Sequence, residues 1–157
     1  MKLLLWSIGK QNESYVKEGV EDFTSRISRY FPCEWKIIPP PKNAASMSDT
    51  EQREAESKQL LDSLDAEDYV VLLDERGKML TSPGLSKLIN ERAVNAARRV
   101  HFIIGGAFGV TEIVRKRADL VWQLSQLVFP HQLVRLILAE QIYRACSILK
   151  NEKYHHV

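Results

Sequence analysis

The chain has only two cysteines in 157 residues, Cys33 and Cys146, far apart and in neither a CxxC nor a Cys/His metal spacing. That excludes a disulfide framework and a zinc site, and it fits a reducing, cytoplasmic compartment. No apolar run approaches the ~20 residues of a membrane span. The opening Met1-Lys2-Leu3-Leu4-Leu5-Trp6 is broken by Gly9-Lys10; with no small-residue cleavage site behind it, it reads as a first strand rather than a signal peptide. Also missing are a G-x-G-x-x-G dinucleotide fingerprint and the Gly-Lys-Ser/Thr of a P-loop, which disfavours both nucleotide-binding classes. There is no Ser/His/Asp ordering to support hydrolase chemistry, no metal cluster, no internal repeat and no low-complexity tract.

What remains is ordinary globular material, 45% apolar and 27% charged, of a length that fits a single domain over residues 1–157. The net charge of +2 conceals an asymmetry: residues 1–75 carry 9 Lys/Arg against 15 Asp/Glu (net −6), and residues 76–157 carry 13 against 5 (net +8). The basic half suits phosphate and the counterion release that drives nucleic-acid binding. Solvated helix faces explain the same charge equally well.

Short apolar runs alternate with longer amphipathic ones. The pattern predicts strands over 3–8, 34–38, 69–74, 100–104 and 120–124, and helices over 13–30, 48–64, 82–97, 111–117 and 132–149. Strict alternation argues for an α/β fold: a mainly parallel sheet, right-handed crossovers and helices on both faces. Ser48-Asp49-Thr50-Glu51 has capping-box spacing, and Ser82-Pro83 sets proline at the first helical position. Residues 39–46, which begin Pro39-Pro40-Pro41, read as an exposed loop.

In such sheets ligands bind outside the carboxyl ends of the strands, so the strand ends are the candidates. The run Val100-His101-Phe102-Ile103-Ile104 leads directly into Gly105-Gly106, with Gly109 just before a helix that Thr111 is placed to cap. Glycine there lets backbone approach a ligand closely, although a ligand-free tight turn has the same residues. Leu73 and Asp74 end the third strand. After the fifth, Leu124, Ser125, Gln126, Leu127, Val128 and Phe129 make an unusually apolar loop, suited to packing or to a slot for a flat ring such as adenine.

The last helix carries apolar residues over more than one stripe, from Leu133 to Leu149, with Glu140, Arg144, Ser147 and Asn151 as a polar one. A homodimer contact accounts for that excess, as does deeper burial within one chain. Arg135 lies off the polar stripe and needs a partner, with Glu140, Asp119 or a phosphate as the options. The tail contains Tyr154 and His155, a ring able to stack on a base and an imidazole of a type that titrates near neutrality. His101 reads as structural and His131 as a helix cap.

The run from Phe129 through Arg135 to Ala145, with the Ile103-Ile104-Gly105-Gly106-Ala107-Phe108-Gly109 turn and the Tyr154-His155 ending, resembles the RlmH family. These are SPOUT-class methyltransferases that act on N3 of a pseudouridine in large-subunit (23S) ribosomal RNA. The resemblance covers essentially the whole chain. It implies an S-adenosylmethionine donor, a C-terminal trefoil knot, a homodimer through the last helix whose site the partner completes, and the ribosome as substrate. Knots are rare enough that strand and helix alternation alone excludes one. Carried over by position, the cofactor residues are Leu73, Gly105 and Leu124 through Phe129. Tyr154, His155 and Arg135 are the catalytic candidates, with Arg135 or Arg144 holding phosphate. His156 stands where the family usually has a basic residue. Two other classes explain part of the sequence: a nicotinamide- or flavin-dependent oxidoreductase, and a non-enzymatic RNA-binding module.

Overall fold

Alternation along the first strand sets the layers. In the computed structural model, which describes residues 1–156, β1 (Lys2–Ile8) sends Leu3 and Leu5 to one face of the sheet and Leu4, Trp6 and Ile8 to the other. The chain continues through α1 (Ser14–Ile27), β2 (Cys33–Ile38), α2 (Asp49–Asp62), β3 (Tyr69–Met79) and α3 (Ser82–Val94), and then β4 (Arg99–Ile104), α4 (Glu112–Arg117), β5 (Leu120–Gln123) and α5 (His131–Leu149). The strands form one sheet in the order β2-β1-β4-β3-β5, with every pairing parallel.

Two apolar layers result. Leu3, Leu5, Val71, Phe102 and Trp122 pack against Ile27 of α1, Leu85 and Ile89 of α3, and Leu138 and Ile142 of α5. On the other face Leu4, Trp6, Val70, Leu72 and Ile103 meet Leu60 of α2 and Val114 of α4. Each such side chain contributes roughly 1.5–3 kcal/mol on leaving water, which is what holds helices to both faces. His101 sits in β4 beneath Trp6, the ring centroids 4.4 Å apart, its Nε2 3.1 Å from Asp68 Oδ2. It is structural, and burial lowers its pKa.

Several local expectations are corrected. The cap of α3 is Thr81, whose Oγ1 accepts from the Gly84 amide at 3.0 Å, so Pro83 is the second helical residue rather than the first. Thr111 precedes α4 but makes no side-chain cap. His131 is itself the first residue of α5, after Pro130. The third strand runs past Asp74 to Met79: its pairing with β5 breaks between Leu73 and Lys78, and both of these residues lie opposite Trp122. The helix α5 packs between α1 and α3, which takes up much of its broad apolar surface within one chain. Along its polar stripe Ser147 is buried, Glu140 and Arg144 are half-buried and Asn151 is exposed.

Among the described residues no helix is long and apolar enough to cross a membrane. Val157 lies outside the described residues.

Candidate active site

Strand ends β4, β3 and β5 and the loop after β5 enclose a cleft of about 480 Å³. Ile104 and Leu73 form its floor; Leu124, Ser125, Gln126, Leu127, Val128 and Phe129 form one wall, and Val134 and His131 of α5 close the side. The break in β3 lifts Asp74, Glu75 and Arg76 into the opposite rim. Gly77 makes the break possible, because a Cβ there would lie 2.5 Å from the Val121 carbonyl carbon and oxygen. Leu127 and Val128 are 71% and 91% exposed, an unfavourable state for two adjacent apolar side chains unless something covers them. Seven of the eight cofactor candidates therefore line one cleft. The eighth, Gly105, stands immediately behind Ile104, where a Cβ would come within 3.0 Å of Val110 Cγ1.

The glycine turn is held from outside the cleft by one face of α2. Arg53 Nε donates to the Phe108 carbonyl at 2.9 Å, Ser57 Oγ accepts from the Thr111 amide at 3.0 Å, and Glu56 abuts Gly106. Within the turn the Gly109 amide donates to the Gly106 carbonyl at 3.1 Å, with Gly109 at φ +76°. Arg115 ties the rim to the glycine turn, donating to Asp74 Oδ2 and to the Val110 carbonyl, each at 3.3 Å.

The three catalytic candidates do not line this cleft. Arg135 is 1% exposed. Its Nε donates to Ser7 Oγ at 2.9 Å, and its Nη1 donates to the Lys10 carbonyl at 2.8 Å and Asn12 Oδ1 at 3.0 Å. No carboxylate among the described residues pairs with it, so the expected partners Glu140 and Asp119 are corrected to neutral oxygens at the end of β1. A guanidinium sealed in this way is out of reach of an RNA phosphate. Gly9, at φ +147°, leaves the space that Arg135 Nη2 occupies.

Tyr154 and His155 fold back on the middle of α5. Tyr154 Oη donates to Glu140 Oε1 at 3.0 Å, and Arg144 Nε donates to the same oxygen at 3.0 Å. The Arg144 guanidinium lies 4.8 Å over the Tyr154 ring, and its Nη1 is 3.5 Å from His155 Nδ1. Burial, and then the hydrogen bond to Glu140, raises the Tyr154 pKa. The phenol therefore stays protonated and acts as a donor. Val134 and His131 line the cleft without being singled out as ligand contacts by the sequence. The signal for Val134 and His131 was their place at the start of a helix adjoining the apolar loop.

Comparison with known proteins places this arrangement in context. Residues 1–155 match the family described as Predicted SPOUT methyltransferase. A ribosomal RNA large subunit methyltransferase H from Cytophaga hutchinsonii is 45% identical over 156 residues, covering 99% of this chain and 100% of that one. Another so named, from Parabacteroides distasonis, is 41% identical and covers 99% of each. Among solved structures, a Neisseria gonorrhoeae protein assigned to a methylase family aligns with a TM-score of 0.52 at 10% identity, over 99% of this chain and 85% of that one. That likeness shows a shared fold.

Proposed function

The chain belongs to the SPOUT methyltransferase family, as a full-length relative of ribosomal RNA large subunit methyltransferase H, and from this premise we propose that it moves a methyl group from S-adenosylmethionine to N3 of a pseudouridine in 23S ribosomal RNA, on the assembled ribosome in the cytoplasm. The observation that carries the reading is the cleft at the strand ends: an open-mouthed volume of about 480 Å³, suited to a nucleoside and walled by apolar side chains left uncovered at Leu127 and Val128.

The residues present fit the donor. Leu124, Leu127, Val128 and Phe129 offer the flanks an adenine ring needs, while the loop backbone supplies donors and acceptors for its edge. Glu75 puts a carboxylate on the rim, where hydroxyls or a cationic centre are accommodated, while the Asp74 carboxylate is held by Arg115 and Arg76. Bound there, S-adenosylmethionine supplies an electrophilic sulfonium methyl. Much of the acceleration then comes from holding the two reactants in line.

The acceptor N3–H must lose its proton. His155 is the base or relay, with Tyr154, kept protonated, positioning the target base by hydrogen bond or stacking. Phosphate contact falls to Arg144, since Arg135 is sealed inside and braces α5 against β1. One protomer does not bring these groups together: Tyr154 is bonded to Glu140, six residues beyond Val134 at the cleft, about 9 Å along α5. A homodimer through α5, in which each tail serves the partner's cleft, joins the two halves. The same reading includes a single domain and the C-terminal trefoil knot.

Calorimetry with S-adenosylmethionine, paired with transfer of labelled methyl to ribosomes lacking the modification, tests the proposal. Micromolar donor binding and one methyl per ribosome are expected. Absence of donor binding overturns the reading in favour of a non-enzymatic RNA binder. Bound nicotinamide or flavin, seen by absorbance, overturns it in favour of an oxidoreductase.

A further inference from the structure

Three residues of α2 spaced as one helical face, Arg53, Glu56 and Ser57, all engage the 106–111 turn, and the next residue on that face, Leu60, is buried beside Val110 and Val114. Two of the contacts have an obvious hydrogen-bonding purpose. Glu56 does not. It is 1% exposed; among the described residues its Oε1 has no hydrogen-bond partner, and its Oε2 has only Gln52 Nε2 at 3.5 Å. A buried carboxyl left so poorly partnered is costly and calls for a compensating role. Burial raises its pKa, and a glutamine has the same shape.

What the carboxyl touches is the back of the glycine turn. A Cβ on Gly106 would stand 2.5 Å from Glu56 Oε1 and 3.0 Å from its Cδ. Backbone geometry does not demand glycine at 106, because only Gly9 and Gly109 among the glycines have positive φ. The demand is for space, and Glu56 sets it. Neither residue lines the cleft; together they fix how far the turn carrying Gly105 can retreat from it.

We infer that Glu56 is a positioning residue for the methyl donor, acting through Gly106, and that glutamate at 56 and glycine at 106 form a matched pair that sets the rear wall of the donor site. This rests on the cleft being that site, as proposed above. Truncating Glu56 lets the turn fall back; adding a methyl at 106 pushes it forward. Either displaces Gly105 and Ile104 against the donor, although no atom of the pair touches it.

A double-mutant cycle read by donor affinity tests this. Calorimetry is run on wild type, Glu56→Ala, Glu56→Gln, Gly106→Ala and Glu56→Ala/Gly106→Ala, with amide hydrogen exchange of residues 105–111 in the donor-free proteins. Glu56→Ala and Gly106→Ala are each expected to weaken donor binding at least tenfold and to speed exchange at Gly109 and Thr111. Glu56→Gln restores affinity to within about threefold of wild type. The double variant binds no more weakly than the worse single variant, because truncation makes room for the methyl. Wild-type affinity in Glu56→Ala, or effects that multiply in the double variant, overturns the pairing. Failure of the wild type to bind donor instead overturns the proposed function itself.

Discussion

Glycine at 105 is required by its neighbour rather than by its backbone angle, since a Cβ there stands 3.0 Å from Val110 Cγ1. Gly105→Val drives a branched side chain into that contact and moves Ile104 at the cleft floor. Calorimetry is expected to find no measurable donor binding, while near-ultraviolet circular dichroism stays that of the wild type; retained affinity contradicts the placement. His155→Ala keeps donor affinity and slows single-turnover methyl transfer by about 10²–10⁴, and equal rates at every pH tested remove His155 as the base. Cys33 and Cys146 are both buried, and burial pushes each thiol up to about 12. A thiol stays neutral below its pKa, so at pH 8 the reactive thiolate fraction is on the order of 10⁻⁴. Ellman's reagent is expected to titrate no thiol in the native protein at that pH and both after denaturation.

At the scale of elements, the break in β3 connects the sheet to the cleft. Gly77 presses on the backbone of Val121 and Trp122, the latter nitrogen 2.6 Å from where a Cβ would be. Gly77→Ala is expected to cost about 1–3 kcal/mol in urea unfolding, the usual result of overpacking. It also weakens donor binding, because the 124–129 loop hangs from β5; unchanged stability and affinity would show that the strand can shift freely. The sequence reveals β1, β4 and the first half of β3 because they are continuous apolar runs buried on both faces. Residues 74–78 are polar and contain a glycine, and nothing in that composition separates strand from loop. The grip of α2 on the glycine turn is equally hidden. Arg53, Glu56 and Ser57 look like a solvated face, and only the tertiary fold shows what they meet. Arg135 was recognisable as a cation needing a partner, but its partners are a hydroxyl, an amide and a carbonyl more than 120 positions earlier.

For the whole molecule, the strand-end rule points from sequence to the edge where the cleft lies, because parallel sheets leave their carboxyl edge open. It could not locate the tail, whose contacts with Glu140 and Arg144 depend on a reversal after α5. If each tail serves the partner's cleft, two inactive variants complement each other. Co-expressed Gly105→Val and His155→Ala chains form a heterodimer with one intact site, built from the cleft of the second and the tail of the first. Purified heterodimer is expected to show about half the wild-type rate; no activity above the single variants places each tail at its own cleft.

The strand order has a consequence during synthesis. The strand β1 is made first, yet one of its two neighbours, β4, begins at Arg99. At about 5–20 residues per second, that is a wait on the order of 5–20 s during which the β4-facing edge of β1 has no partner. For that interval the backbone edge of β1 that β4 will pair stays open, even once Leu60 of α2 can cover Trp6, and an unpaired apolar strand edge invites pairing with other chains. The nascent chain, more than the finished enzyme, is therefore the form in greatest need of a chaperone, and slowing translation before residue 99 should lower its soluble yield.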